Sequence, residues 1–170
     1  MKKLATALLI LVSVAVWGQS TVQTTDSFVV TGNIKKELKF SLDDIEKYPS
    51  HIIEDVVITN HLGIPRGTAT ELTGTLVKDL LQGLTLEEES PKRYSEFYLT
   101  FIAADNYKVV YSWNEIFNSP TGDNVFIIKS KDGMKLNDMD ERILILTPTD
   151  FKTGRRHIKG LSKILVKRTN

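Results

Sequence analysis

Every helix-like stretch after residue 26 is cut short within about two turns, and that shortness constrains the fold more than any other feature. Ser41, with Asp44 three residues on, has the spacing of a capping box and opens a helix through Ile45 that must stop before Pro49. Leu76, Val77, Leu80 and Leu81 recur at helical spacing in a second helix, expected to start at Thr75 and to end at Gly83. Ser112 with Glu115 is another capping box, leading a short helix around Trp113 and Phe117. The remaining order comes from strands. Phe28–Val30 and Leu38–Phe40 flank the turn pair Gly32-Asn33, and Phe97–Ala103 and Tyr107–Tyr111 flank Asp105-Asn106, which predicts two hairpins. Ile52 to Ile58 is β-branched and predicts one strand, and His61 to Leu72, with Gly63, Pro65 and Gly67, predicts a loop. Further strands are expected at Val125–Ile128 and Ile143–Leu146, with the Asp132-Gly133 turn between them, and at about Lys163–Lys167. Short helices placed between hairpins predict an α+β fold with mixed or antiparallel sheets, not a doubly wound parallel sheet. Phe101, Tyr107, Val109, Ile128, Ile143, Ile145 and Ile164 should share one core, with Leu76 and Leu80 laid against it.

The start of the chain is of another kind. Met1-Lys2-Lys3 is a positive n-region, and Leu4 to Trp17 is almost unbroken apolar sequence. That run is shorter than the roughly 18–20 residues a membrane span needs, and no positive flank follows it. Residues 1–18 are therefore expected to be a signal peptide cleaved near Gln19, giving an exported, periplasmic or secreted protein with no membrane span. No cysteine stands at the cleavage point for a lipid anchor. Residues 19–26 read as a flexible leader and 27–168 as one domain. Without Lys2 and Lys3 the chain holds 20 basic and 21 acidic residues, a net charge of −1, so overall charge argues against a nucleic-acid partner.

The absence of cysteine removes disulfides, thiolate nucleophiles, iron–sulfur clusters and thiolate-bound metals together. His51, His61 and His157 lie far apart and form no metal-ligand spacing. Asp138, Asp140 and Glu141 do not match an EF-hand loop. The sequence has neither a Gly-x-Ser-x-Gly elbow nor a phosphate-binding glycine loop followed by Lys-Ser/Thr. What remains is the segment from Thr147 to Leu161, where a buried strand runs into a glycine loop carrying Arg155, Arg156, His157 and Lys159. No acid follows Asp150. Guanidinium forks and loop N–H groups of this kind make an anion cradle, while a solvated basic loop ahead of an edge strand has the same composition.

The order of motifs resembles the molybdopterin-binding domain of the sulfite oxidase family in its small, stand-alone bacterial form. The resemblance runs through Phe40-Ser41-Leu42-Asp43-Asp44-Ile45, Leu72-Thr73-Gly74-Thr75-Leu76-Val77-Lys78-Asp79-Leu80-Leu81 and Ala103-Ala104-Asp105-Asn106-Tyr107. It closes on Glu141-Arg142-Ile143-Leu144-Ile145-Leu146-Thr147-Pro148, then Gly154 to Lys159, Leu161 and Ile164. It covers about residues 27–168 and implies curved, partly barrel-like sheets, with the Arg155–Lys159 loop at the pterin phosphate. In the family a strand cysteine binds molybdenum; here that position falls on Thr59 or Asn60. A threonine hydroxyl is too weak an acid to replace a soft thiolate, and an amide is a poor anionic ligand. The resemblance therefore implies an oxidoreductase fold that admits molybdopterin, while the residues give no expectation of a metal ligand or a catalytic group. The leading expectation is a non-catalytic module in which Arg155, Arg156 and Lys159, with His157 and with His61 or Arg66, converge on an anionic, pterin phosphate-like small molecule. The alternatives are a molybdopterin oxidoreductase with an atypical metal site, and a non-catalytic domain that binds an unknown protein partner.

Overall fold

The computed structural model describes residues 23–169. In chain order the elements are β1 (Ser27–Gly32), β2 (Leu38–Ser41), α1 (Leu42–Glu46), β3 (His51–Ile53), β4 (Val56–Thr59), β5 (Pro65–Ala69), β6 (Leu72–Leu76) and α2 (Val77–Leu80). There follow β7 (Phe97–Ala103), β8 (Lys108–Ser112), α3 (Trp113–Phe117), β9 (Phe126–Lys131), β10 (Met134–Lys135), β11 (Ile145–Leu146) and β12 (Leu161–Arg168). One sheet has the order β2-β1-β12-β7-β8, in which only β1 and β12 run parallel. A second has the order β10-β9-β6-β3, with β11 added on β9, and is antiparallel throughout. β4 and β5 form a separate hairpin. The architecture is α+β, as expected.

Sequence periodicity explains the best-formed parts. Along β7, Phe97, Leu99, Phe101 and Ala103 point inward and alternate with half-buried neighbours, the period-2 signature of a sheet with one covered face. In the second sheet, β9 is buried at four successive positions, Phe126 to Lys129. Lys129 is tolerated there because its ammonium donates to the carbonyls of Glu46 (3.0 Å) and Tyr48 (3.2 Å) and pairs with the Glu46 carboxylate at 3.2 Å. It thereby supplies the positive C-terminal cap that α1 lacks in its own last turn. Both capping boxes form: Ser41 accepts from the Asp44 amide at 3.2 Å, and Ser112 from the Glu115 amide at 3.1 Å.

Several expectations need correction. The single strand at Ile52–Ile58 is broken at Glu54-Asp55 into β3 and β4, which belong to different sheets. The expected loop at His61–Leu72 contains β5 and the start of β6: Gly63 sits at a hairpin tip, while Pro65 and Gly67 lie within β5; Asn60 Oδ1 accepts from the amides of Leu62 (2.9 Å) and Ile64 (3.0 Å) and holds that tip closed. Thr75 and Leu76 belong to β6, so the second helix begins only at Val77. Asp132-Gly133 turns β9 into the short β10, and Ile143–Leu146 is reached later, through a further 3-10 turn. The other expected core residues are buried in one continuous cluster, but Tyr107 is exposed and spends its hydroxyl on the Arg155 carbonyl at 2.6 Å. Residues 1–22, including the expected signal peptide, lie outside the described residues. Within the expected leader, Thr24 donates to the Asp140 carbonyl (2.7 Å) and Thr25 to the Leu161 carbonyl (2.9 Å).

Candidate functional site

The segment after β11 packs against the outer edge of the β4–β5 hairpin, and one hydroxyl does most of the joining. Thr153, buried, donates to the Val57 carbonyl at 2.8 Å and accepts from the Thr59 amide at 3.0 Å, standing in for a neighbouring strand along β4. The next residue must be glycine. A Cβ on Gly154 would lie 1.8 Å from the Thr59 carbonyl oxygen, so only a bare backbone allows this approach. Arg155 then donates from Nε to the His61 carbonyl at 3.0 Å, clasping the tip of the hairpin.

Arg156 turns the other way. Its guanidinium meets both carboxylate oxygens of Asp150, with Nε at 2.6 Å from Oδ2, donates to Glu115 Oε1 at 3.1 Å, and lies 4.6 Å from the centre of the Tyr111 ring. Tyr111 is fully buried, and that burial pushes its phenol up to about 12; its hydroxyl shares a hydrogen bond with Thr147 at 2.8 Å. Glu115 uses its second oxygen for the α3 capping box, so Arg156 ties the loop to that helix. Lys159 pairs with Glu141 at 2.9 Å, and Lys131 shares the same carboxylate. Burial pushes the Glu141 carboxyl up, yet the hydrogen bonds from the two lysines more than offset it and hold it below the usual range.

Of the six residues expected at an anion site, the structure brings Arg155 and His61 together, through a backbone bond. Arg156 and Lys159 are each committed to carboxylates, Arg66 is exposed on β5, and His157 is half-buried. Burial, then the Lys159 charge, lowers the His157 pKa to about 4 against the opposing pull of Glu141. A histidine neutral when folded and ordinary when unfolded contributes stability above about pH 6.5 that is lost as the pH falls toward 4. We expect a loss of roughly 2–3 kcal/mol across that window. In His157→Asn that part of the acid limb should flatten in urea unfolding curves followed by circular dichroism.

Sequence reasoning missed the most conspicuous feature of this end. Phe151 is fully exposed and forms the wall between two depressions. On one side is a cleft of about 530 Å³ walled by Ile52, Val57, Phe126 and Pro148, with the carboxylates of Glu54 and Asp55 on its rim. On the other is a shallower hollow of about 440 Å³ bounded by Asp150, Lys152, Arg155 and Arg156. The signal in the sequence was an aromatic residue set between Asp150 and Lys152, outside any alternating pattern.

Thr59 and Asn60 do not suit a molybdenum centre. Thr59 lines the cleft, but its hydroxyl lies 3.4 Å from the Gly154 amide, and the Asn60 side chain is spent on the hairpin tip. No group of three histidine or carboxylate ligands occurs among the described residues. Among the described residues, neither a soft anionic donor nor a converging set of cations is presented to a molybdopterin phosphate.

Comparison with known proteins places the architecture. The described fold is similar to the sulfane dehydrogenase SoxCD from Paracoccus pantotrophus, with a TM-score of 0.62 and 12% identity over 86% of this chain and 40% of that one. The fold is sulfite-oxidase-like. At this identity the likeness is one of distant fold, and the chain spans well under half of the dehydrogenase chain it matches. No family model matches the sequence, and no curated protein does. No helix among the described residues is long and apolar enough to cross a membrane.

Proposed function

We propose that this chain is an exported, non-catalytic binding domain that keeps a sulfite-oxidase-like fold without molybdenum redox chemistry. The observation that carries the reading is the use made of Thr59 and Asn60, the two positions on which the metal thiolate was expected to fall: Thr59 is stitched to Thr153 and Gly154 and docks the loop, and the Asn60 side chain closes the hairpin tip. Recognition then falls to the exposed end around Phe151. Lys152 and Arg155 form no ion pair among the described residues and flank the aromatic ring, so the fitting ligand presents a phosphate or carboxylate beside an apolar surface. Exposed cations alone hold such a group weakly, and the neighbouring apolar wall supplies the rest.

The test combines two measurements. Protein from a host that makes molybdopterin should carry no stoichiometric molybdenum. Dilute protein should gain thermal stability with a phosphate-bearing pterin or a peptide carboxylate, and Lys152→Ala with Arg155→Ala should abolish the gain while Lys159→Ala leaves it. Stoichiometric molybdenum would overturn the metal-free reading, and the absence of any anion-dependent shift would overturn the binding site. A protein-interaction role is favoured by one further observation. Of the eight large apolar residues that are exposed among the described residues, Ile52, Val57, Leu62, Ile64, Tyr107 and Phe151 all lie at this end.

A further inference from the structure

We infer that the partner at this end is a second copy of the same chain, in a two-fold dimer in which each Phe151 enters the other's cleft. The inference rests on the binding-domain reading above and names the partner of that site. The cleft beside Phe151 lacks a cation of its own. Its walls combine the apolar side chains of Ile52, Val57, Phe126 and Pro148 with the uncharged polar groups of Thr59, Asn124 and Thr149, and its rim carries Glu54 and Asp55, neither of which has an ion-pair partner among the described residues. Asp150, its third carboxylate, is neutralised by Arg156. No lysine or arginine lines it. The complementary guest is therefore an apolar, preferably aromatic, group with a cation attached beside it.

The chain itself displays that guest. Phe151 is completely exposed, Lys152 follows it directly, and Arg155 bounds the same hollow on its far side. Because Phe151 is the wall between hollow and cleft, knob and socket adjoin. A two-fold axis beside that wall sends each knob into the opposite socket and sets Lys152 and Arg155 of one copy against Glu54 and Asp55 of the other. Such an isologous contact is self-complementary and closed, so it ends at a dimer and does not grow into a filament. A buried aromatic anchor ringed by opposite charges is also the composition of a strong interface centre. The anionic group that Lys152 and Arg155 await is then a carboxylate of the neighbouring copy.

Sedimentation velocity over a dilution series tests this on the purified protein. The wild type should sediment at twice the monomer mass, and Phe151→Asp should weaken association at least about tenfold. Glu54→Lys with Asp55→Lys, and separately Lys152→Glu with Arg155→Glu, should each yield monomers, because like charges would then face each other across the axis. An equimolar mixture of the two reversed variants should regain the dimer, a recovery that a misfolded variant would not give. A dimer indifferent to Phe151→Asp, or reversed variants that stay apart when mixed, would overturn the inference. A wild type monomeric throughout that still responds to anions would overturn the second copy as partner and leave the binding domain standing. A monomer that responds to no anion would overturn both.

Discussion

Arg156→Met should destabilise the domain by about 3 kcal/mol or more in chemical denaturation, the largest loss expected from any single side chain in the basic loop. Three groups converge on this guanidinium: Asp150 with both oxygens, Glu115 with one, and the face of Tyr111. Removing it leaves the mostly buried Asp150 carboxylate without its counter-charge and frees the link between the loop and α3. Arg156→Lys should recover little, since a single ammonium cannot reproduce the planar fork or the contact with the ring. Asp150→Asn combined with Arg156→Met should cost much less than the sum of the two single changes, because together they remove the stranded charge. Additive losses would show that the pair contributes nothing as a unit.

Gly154→Ala should cost about 3 kcal/mol, near the top of the range for a forced overlap, because the new methyl group meets a backbone atom that cannot rotate away. The Thr59 carbonyl lies 1.8 Å from where that Cβ would stand. To relieve the overlap the loop must lift from β4, and the bonds from Thr153 to Val57 and Thr59 go with it. The Thr59 amide should then lose protection in hydrogen exchange, while amides in β7, at the centre of the five-stranded sheet with β12, keep theirs. Unchanged protection at Thr59 would mean that the loop does not depend on this close approach.

Much of the fold was readable because local pattern and tertiary structure agreed. The alternation of β7 and β8 and the two Ser-x-x-acid caps are short-range devices that fold as they read. Failure came where long-range packing decided. Tyr107 fits an alternating strand pattern, yet its hydroxyl is drawn to the Arg155 carbonyl at the surface. Pro65 and Gly67 suggested a loop, and the hairpin accommodates both at exposed positions of β5. The basic loop misled for a related reason. It contains no acid after Asp150, but its counter-charges are held upstream: Glu115 on α3, Glu141 before β11, and Asp150 itself. Segregation of charge along a chain is not segregation in space. Lys152 and Arg155 beside Phe151, which have no carboxylate partner among the described residues, could be recognised only once the other cations of the loop had been assigned theirs.

The parallel pairing of β1 with β12 has a consequence for how the molecule is made. The strand nearest the end of the chain sits in the middle of its sheet, with β1 on one flank and β7 on the other. The β1–β2 and β7–β8 hairpins close over short sequence separations and can form early, with the inner edges of β1 and β7 still open. No strand pairing joins them until Leu161–Arg168 takes its place between them. Completion of this sheet thus waits on Leu161–Arg168, and a chain in which that strand has not docked stays open along the seam it will fill.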